Sequence, residues 1–201
     1  MIKNVIFDIG NVLTDFRWKE FLRDKGFEGE LLERIGKASV ESPVWPELDR
    51  GVWSFEQVMA GFVANAPALE KELHRAYDDM TDIVTIRDYA VTWIRELKEN
   101  GLQVYYLSNF SEKIEQECKQ ALIFRQEMDG GILSWQDKLI KPDPAIYRLL
   151  LSRYGLIPQE SVFIDDLPVN VEAARALGIR GIVFQSQEQA KRDLRDLIEH
   201  C

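Results

Sequence analysis

Several polar side chains stand where short apolar runs stop, and their types suit one kind of chemistry. Asp8 follows the first apolar run and Ser108 ends a later one, while Asp165 and Asp166 end a third. Clustered carboxylates repel one another and raise one another's pKa values, so they call for a hard divalent cation with oxygen ligands, and Mg²⁺ fits best. An Asp beside such a cation can attack a phosphoryl group, while a hydroxyl and the ammonium of Lys141 hold its oxygens.

Five apolar runs have the length and composition of buried strands. They are residues 5–7, 103–109, 161–166 and 181–184, with a further short run around Ile132 and Leu133. Helix-length patterns separate the later runs, and two of these patterns stop at Gly101 and Gly178. The alternation of strand and helix predicts an α/β fold with a doubly wound parallel sheet.

The predicted sheet explains how residues far apart in the sequence could act together. The carboxyl ends of parallel strands meet at one edge of a sheet, so we expect the polar side chains at these ends to face one crevice. Lys141 precedes a helix whose start is marked by Asp143 as N-cap and Pro144 at the first helical position. Three carboxylates, a hydroxyl and an ammonium are therefore expected in one pocket.

The stretch from 16 to 83 breaks this alternation and predicts several successive helices. We interpret it as a helical cap inserted into a core formed by residues 1–15 and 84–201. A cap of this kind closes over a crevice, excludes water and supplies substrate contacts. Trp45 and Trp53 are candidate contacts because an indole stacks on a sugar face, although both are also typical of a small helical core. Arg50 is a third candidate, since a guanidinium can donate to substrate hydroxyls.

Four segments of the chain resemble, in order, the four motifs of the haloacid dehalogenase-like (HAD) hydrolases. These segments are FDIGNVL, LSN, KPDP and FIDDLPVN. Each motif alone has low specificity, whereas four in order at plausible spacing, spanning nearly the whole chain, are highly specific. The resemblance implies a Rossmann-like core, a helical cap inserted after the first motif, and Mg²⁺ as cofactor.

The resemblance also implies how a phosphoryl group would be handled. Asp8 would be the nucleophile and would form an aspartyl-phosphate. Ser108, Asn109 and Lys141 would bind the phosphoryl group, and Lys141 would also neutralise charge during catalysis. The Mg²⁺ ligands would be Asp8, the backbone carbonyl of Gly10, and Asp166 with support from Asp165.

Gly10 departs from the common family pattern, in which a second Asp at this position protonates the leaving oxygen and then activates water. Loss of such a group usually costs a factor of about 10²–10⁴ in rate. Three interpretations stay open: substrates with good leaving groups, a substitute acid such as water or another residue, or a weak enzyme or non-catalytic binder. Asp15 is a possible substitute, but it lies at the junction with the predicted cap, where a hinge or capping role is expected.

The FDIGNV segment is similar to a subgroup that includes bacterial α-D-glucose-1-phosphate phosphatases. The cap segment LDRGVWSFEQ also resembles that subgroup. These resemblances favour a phosphatase acting on a small phosphorylated metabolite, such as a sugar 1-phosphate. A metal-independent 2-haloacid dehalogenase is the alternative within the family, since those enzymes also lack the second Asp. The acidic pair Asp165 and Asp166 favours phosphoryl chemistry, because a metal-free site has no need of it.

The composition narrows the classes of partner. A formal net charge of −9 disfavours nucleic acid and anionic membranes. Cys118 and Cys201 form no disulfide framework or metal spacing, so we expect inert thiols and a cytoplasmic protein without a membrane span or signal peptide. His74 and His200 have no partners at metal spacing and are expected to be solvated. The sequence gives no indication of the oligomeric state.

Overall fold

The computed structural model describes residues 1–199, which form seven strands, eleven α-helices and three 3₁₀ segments. The strands are β1 (Asn4–Phe7), β2 (Thr14–Phe16), β3 (Val84–Ile86), β4 (Gln103–Ser108), β5 (Gly130–Leu133), β6 (Ser161–Asp165) and β7 (Arg180–Val183). The 3₁₀ segments are Pro67–Leu69, Lys119–Glu127 and Pro158–Glu160.

The helices fall into two groups along the chain. Those between β2 and β3 are α1 (Trp18–Asp24), α2 (Gly29–Ala38), α3 (Trp45–Arg50), α4 (Phe55–Asn65) and α5 (Glu70–Tyr77). Those after β3 are α6 (Ala90–Glu99), α7 (Glu112–Glu117), α8 (Ser134–Asp137), α9 (Pro144–Tyr154), α10 (Pro168–Arg175) and α11 (Gln187–Glu199).

A five-stranded parallel sheet in the order β5-β4-β1-β6-β7 forms the centre of the molecule. In β1, Phe7 pairs with Tyr106 of β4 on one side and with Ile164 of β6 on the other. All residues of β1 and β6 are buried, as expected for strands with helices on both faces. The α/β, doubly wound prediction is confirmed. The strand order reverses at β1, which is where such folds form their binding crevice.

The predicted helix boundaries were largely found. Asp143 caps α9 by accepting from the backbone N–H of Ala145 at 2.8 Å, and Pro144 is the first helical residue. Gly101 follows α6 with a φ of +80°, a conformation that favours glycine. The helix after β6 begins at Pro168, so Asn170 lies within its first turn.

The helices α1–α5, which we call the cap, connect to the sheet through a two-stranded antiparallel ribbon of β2 and β3. Asp15 lies in this ribbon, where its carboxylate accepts from Arg87 Nε at 2.8 Å. The division into core and cap at residues 15/16 and 83/84 remains a prediction. Both ribbon strands were missed from the sequence, because three residues are too short to show a strand pattern.

The cap has an aromatic core of its own. Trp45 is 8% exposed and stacks on Phe62, with ring centroids 6.1 Å apart, and it meets the edge of Tyr77. Trp45 is the first residue of α3, and Pro46 follows it in the first turn, where proline is tolerated.

The remaining sequence predictions concern cysteines, histidines and membrane spans. Cys118 is buried and its thiol faces the carbonyl of Met80 at 3.4 Å. His74 is exposed on α5 and contacts Asp78 at 3.0 Å. His200 and Cys201 lie outside the described residues. Among the helices of residues 1–199, none has the length and apolar character required to cross a bilayer.

Candidate active site

Asp8 lies directly beyond the end of β1, between the ends of β4 and β6. Its backbone N–H donates to the carbonyl of Ile164 at 2.8 Å, which continues the ladder and fixes the residue at the edge of the sheet. Its Oδ1 accepts from the N–H of Ile9 at 2.7 Å and lies 2.8 Å from Lys141 Nζ. Ser108, at the end of β4, lies beside Asp8 and lowers the pKa of its carboxylate. The carboxylate is thus held in one orientation at the floor of a crevice.

The Lys141 ammonium lies between two carboxylates and is almost fully buried. Its Nζ is 2.8 Å from Asp8 and 2.7 Å from Asp165. The two negative charges raise the pKa of Lys141 against the opposing effect of burial, so the ammonium stays charged. Burial raises the pKa of Asp8 to about 7, an effect that Lys141 opposes and Asp165 reinforces. A bound cation would favour the ionised form of Asp8.

Asn109 fixes the backbone of Lys141. Its side-chain Nδ2 donates to the Lys141 carbonyl at 3.0 Å, and its Oδ1 accepts from the Lys141 N–H at 2.7 Å. This pair of hydrogen bonds joins the loop after β4 to the segment before α9. Asn109 therefore also positions the ammonium, in addition to lining the crevice.

Asp165 has both carboxylate oxygens occupied by protein donors. They accept from the N–H of Leu167 at 2.8 Å, from Asn170 Nδ2 at 3.1 Å and from Lys141 Nζ at 2.7 Å. The side chain is fully buried. Asp165 therefore holds Lys141 and the turn after β6. Asn170 supports this carboxylate from the first turn of α10.

Asp8, Asp165 and Asp166 each place one carboxylate oxygen within 4.8 Å of the others. Asp166 is half-buried, lines the crevice, and accepts one hydrogen bond from Asn11 Nδ2 at 3.1 Å. Gly10 lines the same crevice. This all-oxygen donor set fits Mg²⁺. Both oxygens of Asp165 already accept hydrogen bonds from protein donors. Asp8 and Asp166 are therefore the carboxylates best placed to bind the ion, and Asp165 supports them from the buried side.

The crevice is a cavity of about 230 Å³ between the sheet edge and the cap. Its polar floor contains Asp8, Asn109, Lys141 and Asp166, while Ser108 and Asp165 lie beneath this lining. Its walls are apolar and consist of Phe16, Trp45, Val84, Phe110, Ile114 and Leu167. One further carboxylate, Asp49 from the end of α3, also lines the cavity. The volume suits a phosphoryl group carrying a small leaving group.

The cap residues expected to contact substrate are placed differently from one another. Trp45 lines the cavity, while Arg50 and Trp53 are not among its lining residues. The Arg50 guanidinium instead pairs with Glu47 at 3.3 Å, and Trp53 is 42% exposed. Asp49, next to Arg50 in sequence, takes the position facing the cavity. It was missed because a single carboxylate in a helical pattern carries no signal of the direction it faces.

A family model described as haloacid dehalogenase-like hydrolase matches residues 2–178. The chain belongs to the haloacid dehalogenase-like hydrolases. The HAD family had been expected from four short motifs, and this match extends over most of the chain. It identifies the protein as a hydrolase, and the strand ends bearing Asp8, Ser108 and Asp165 lie within the matched region.

Phosphatases are among the curated relatives of this HAD hydrolase. It is 24% identical to D-ribitol-5-phosphate phosphatase from Bacteroides thetaiotaomicron over 94% of each chain. It is 39% identical to flavin mononucleotide hydrolase 1 from Arabidopsis thaliana over 77% of this chain and 62% of the relative. Two further relatives are longer: the chain spans 37% of drimenol cyclase drtB from Aspergillus calidoustus and 10% of acyl-CoA dehydrogenase family member 10 from Mus musculus.

A solved HAD family enzyme from Bacteroides thetaiotaomicron, in complex with magnesium and inorganic phosphate, has the same fold. It superimposes with a TM-score of 0.71 at 24% identity, covering 93% of this chain and 96% of that one. The likeness covers both the sheet and the cap, and it confirms the predicted fold class.

Proposed function

We propose that this HAD hydrolase is a Mg²⁺-dependent phosphatase of small phosphorylated metabolites and acts through an aspartyl-phosphate on Asp8. The observation that carries the proposal is the position of Asp8 at the cavity floor, 2.8 Å from the buried Lys141 ammonium and beside the acidic pair. The phosphatase relatives, and the magnesium and phosphate bound in the solved neighbour, support the same chemistry.

Each residue at the floor has a distinct part in the proposed reaction. An Asp8 carboxylate oxygen attacks phosphorus, and the bond between phosphorus and the leaving oxygen breaks. The Lys141 ammonium and the Ser108 hydroxyl stabilise the charge on the phosphoryl oxygens, and Asn109 keeps Lys141 in place. Mg²⁺, held by Asp8, Asp166 and the Gly10 carbonyl, would neutralise phosphoryl charge and orient the group for in-line attack. Water then attacks phosphorus, which releases inorganic phosphate and restores the Asp8 carboxylate.

The substrate class is inferred from the shape and lining of the cavity. A volume of about 230 Å³ leaves room for a leaving group of modest size beside the phosphoryl group. Trp45 lies in the cavity wall, where the part of its indole that is not packed against the cap core can contact a sugar. These features suit a sugar phosphate, including the sugar 1-phosphates suggested by the FDIGNV segment.

The proposal predicts phosphate release that depends on both Asp8 and Mg²⁺. We expect the native protein to hydrolyse some members of a panel of about fifty phosphorylated metabolites, and Asp8→Asn to lose this turnover, because the amide is not a nucleophile. Removal of Mg²⁺ with EDTA should have the same effect. The measurement is inorganic phosphate released over time, with halide release from 2-haloacids assayed in parallel.

Three results would contradict the proposal. Metal-independent halide release would identify a dehalogenase. Binding of phosphorylated metabolites without turnover would identify a non-catalytic binding protein. Phosphate release that persists in Asp8→Asn would place the nucleophile elsewhere.

A further inference from the structure

Resting on the proposed phosphatase function, we propose that Asp49 of the cap is the general acid and base that takes the place of the missing carboxylate at Gly10. The family position for that group is empty of any side chain here. Asp49 enters the same cavity from the opposite side, carried by the last turn of α3. The cap would therefore supply the proton that the core cannot.

Asp49 is the cavity carboxylate left free to exchange a proton. Asp8 and Asp165 are paired with Lys141, and Asp166 accepts from Asn11. Within residues 1–199, by contrast, the Asp49 carboxylate makes no hydrogen bond and no ion pair. A carboxyl group that lines a substrate cavity without a protein partner is available to a substrate oxygen or a water molecule.

The backbone around Asp49 is fastened to the core next to the phosphoryl-binding loop. The Ser134 hydroxyl donates to the Asp49 carbonyl and accepts from the N–H of Phe110 at 2.9 Å, two residues after Ser108. Lys138 Nζ donates to the carbonyl of Gly51 at 2.6 Å. Asp49 is thus held in register with the loop expected to bind the phosphoryl group, although it belongs to the cap.

The electrostatic surroundings of Asp49 suit proton transfer near neutral pH. Burial raises the pKa of Asp49 to about 7, the nearby Asp8 carboxylate reinforces the effect, and Lys141 opposes it. Asp49 lines the same cavity as Asp8 and Lys141, which places it near the reacting groups. A pKa near the working pH is the best compromise for a group that must act as an acid and then as a base.

The two half-reactions balance with Asp49 as the proton carrier. In the first, Asp8 forms a bond to phosphorus while the bond to the leaving oxygen breaks, and Asp49 gives its proton to that oxygen, releasing an alcohol. In the second, the Asp49 carboxylate takes a proton from water as the water oxygen bonds to phosphorus and the Asp8–phosphorus linkage breaks. Inorganic phosphate leaves, and both carboxyl groups return to their starting forms.

Asp15, the substitute acid considered from the sequence, is placed unfavourably for this role. It lies outside the cavity lining, in the ribbon that joins core and cap, and its side chain is 51% exposed. Its carboxylate pairs with Arg87 at 2.7 Å. A half-exposed carboxylate that pairs with a guanidinium outside the cavity does not face the substrate, so Asp15→Asn serves as the control substitution.

The test compares Asp49→Asn with native enzyme on an alkyl phosphate and on p-nitrophenyl phosphate, both with Mg²⁺. The alkyl leaving group needs a proton, so we expect kcat for it to fall by about 10²–10⁴. The p-nitrophenolate leaving group does not need a proton. We therefore expect a rapid burst of p-nitrophenolate, equal to the enzyme concentration, followed by slow turnover because the base for the second step is gone. Asp15→Asn should match the native enzyme on both substrates.

A second variant separates lost chemistry from lost structure. A Cβ at Gly10 would meet no atom within 4 Å, so the site has room for the family's usual carboxylate. Gly10→Asp placed in the Asp49→Asn background should restore alkyl phosphate turnover and abolish the burst. Circular dichroism and thermal melting would establish that each variant is folded.

The possible failures are distinguishable. No phosphate release by the native enzyme from any substrate would overturn the proposed function and the role of Asp49 together. Native turnover with Asp49→Asn unimpaired on the alkyl phosphate would overturn the role of Asp49 alone. Equal losses on both substrates, with no burst and no rescue by Gly10→Asp, would show that Asp49 acts in binding or packing and would also overturn the proposal.

Discussion

Lys141 shows how much of this site depends on a single residue. Its side chain is 1% exposed, and its ammonium contacts Asp8 at 2.8 Å and Asp165 at 2.7 Å. Burying three charges is unfavourable unless they are paired in good geometry, and here each carboxylate also has other donors. The ammonium therefore compensates two buried carboxylates in addition to its proposed role toward a phosphoryl group.

Replacing Lys141 with Met should reduce both activity and stability. The variant leaves two carboxylates uncompensated in the core, and removing one member of a buried pair typically costs about 3–5 kcal/mol in the free energy of unfolding. Urea unfolding in EDTA measures this loss of unfolding free energy in the absence of a cation that could compensate the two carboxylates. The control is Lys3→Met, since Lys3 pairs with Glu160 at the surface, where such a pair contributes about 0–1 kcal/mol. Equal effects of the two variants would be inconsistent with the role given to Lys141.

The residues at strand ends were the most predictable part of the site. Asp8, Ser108 and Asp165 end buried strands, and neighbouring parallel strands necessarily bring such ends together. Asp49 could not be predicted. Adjacent residues on a helix point about 100° apart, so whether Asp49 or Arg50 faces the cavity depends on how α3 docks.

At the scale of elements, the end of α3 joins the cap to the core. Gly51 ends the helix with a φ of +67°, and a Cβ there would lie 2.9 Å from the Cβ of Trp135 in α8. The close approach lets Lys138 reach the Gly51 carbonyl and Ser134 reach that of Asp49. The glycine thus allows the positive φ that ends α3, and its lack of a side chain allows the cap to approach α8 closely.

Gly51→Ala should therefore impair activity as well as stability. The strained φ alone should destabilise by more than about 1 kcal/mol, and the clash with Trp135 should displace Asp49 from the cavity. Gly155→Ala is the matched control, because Gly155 ends α9 with a φ of +64° and a Cβ there meets no atom within 4 Å. We expect both variants to unfold at lower urea concentration and only Gly51→Ala to lose kcat/KM. Equal kcat/KM in the two variants would count against the docking role.

The sheet strands were foreseen because they are continuous apolar runs, and the order of helix and strand follows from them. The ribbon of β2 and β3 was not predicted, because its register is fixed by the long-range pairing of Phe16 with Val84. The α3 helix also escaped prediction, since its six residues gain most of their stability from packing of Trp45 against Phe62 and Tyr77.

At the scale of the whole molecule, the reaction site is divided between two parts of the chain. The central sheet provides a rigid edge on which Asp8, Lys141 and the acidic pair are assembled. The cap covers that edge with an apolar wall and contributes Asp49. The cavity thus lies between the two parts, with its charged groups at the floor. With the proposed role of Asp49, this division would allow a site that lacks the usual acid in its first motif to carry out phosphoryl transfer.

The proposed covalent mechanism at Asp8 is tested most directly by mass spectrometry of the enzyme. The enzyme is quenched rapidly with acid during turnover of p-nitrophenyl phosphate with Mg²⁺. The proposed mechanism predicts one phosphoryl group on the peptide containing Asp8, with higher occupancy in Asp49→Asn and none in Asp8→Asn or after removal of Mg²⁺. Steady phosphate release with Asp8 unmodified in both the native enzyme and Asp49→Asn would contradict covalent catalysis by Asp8.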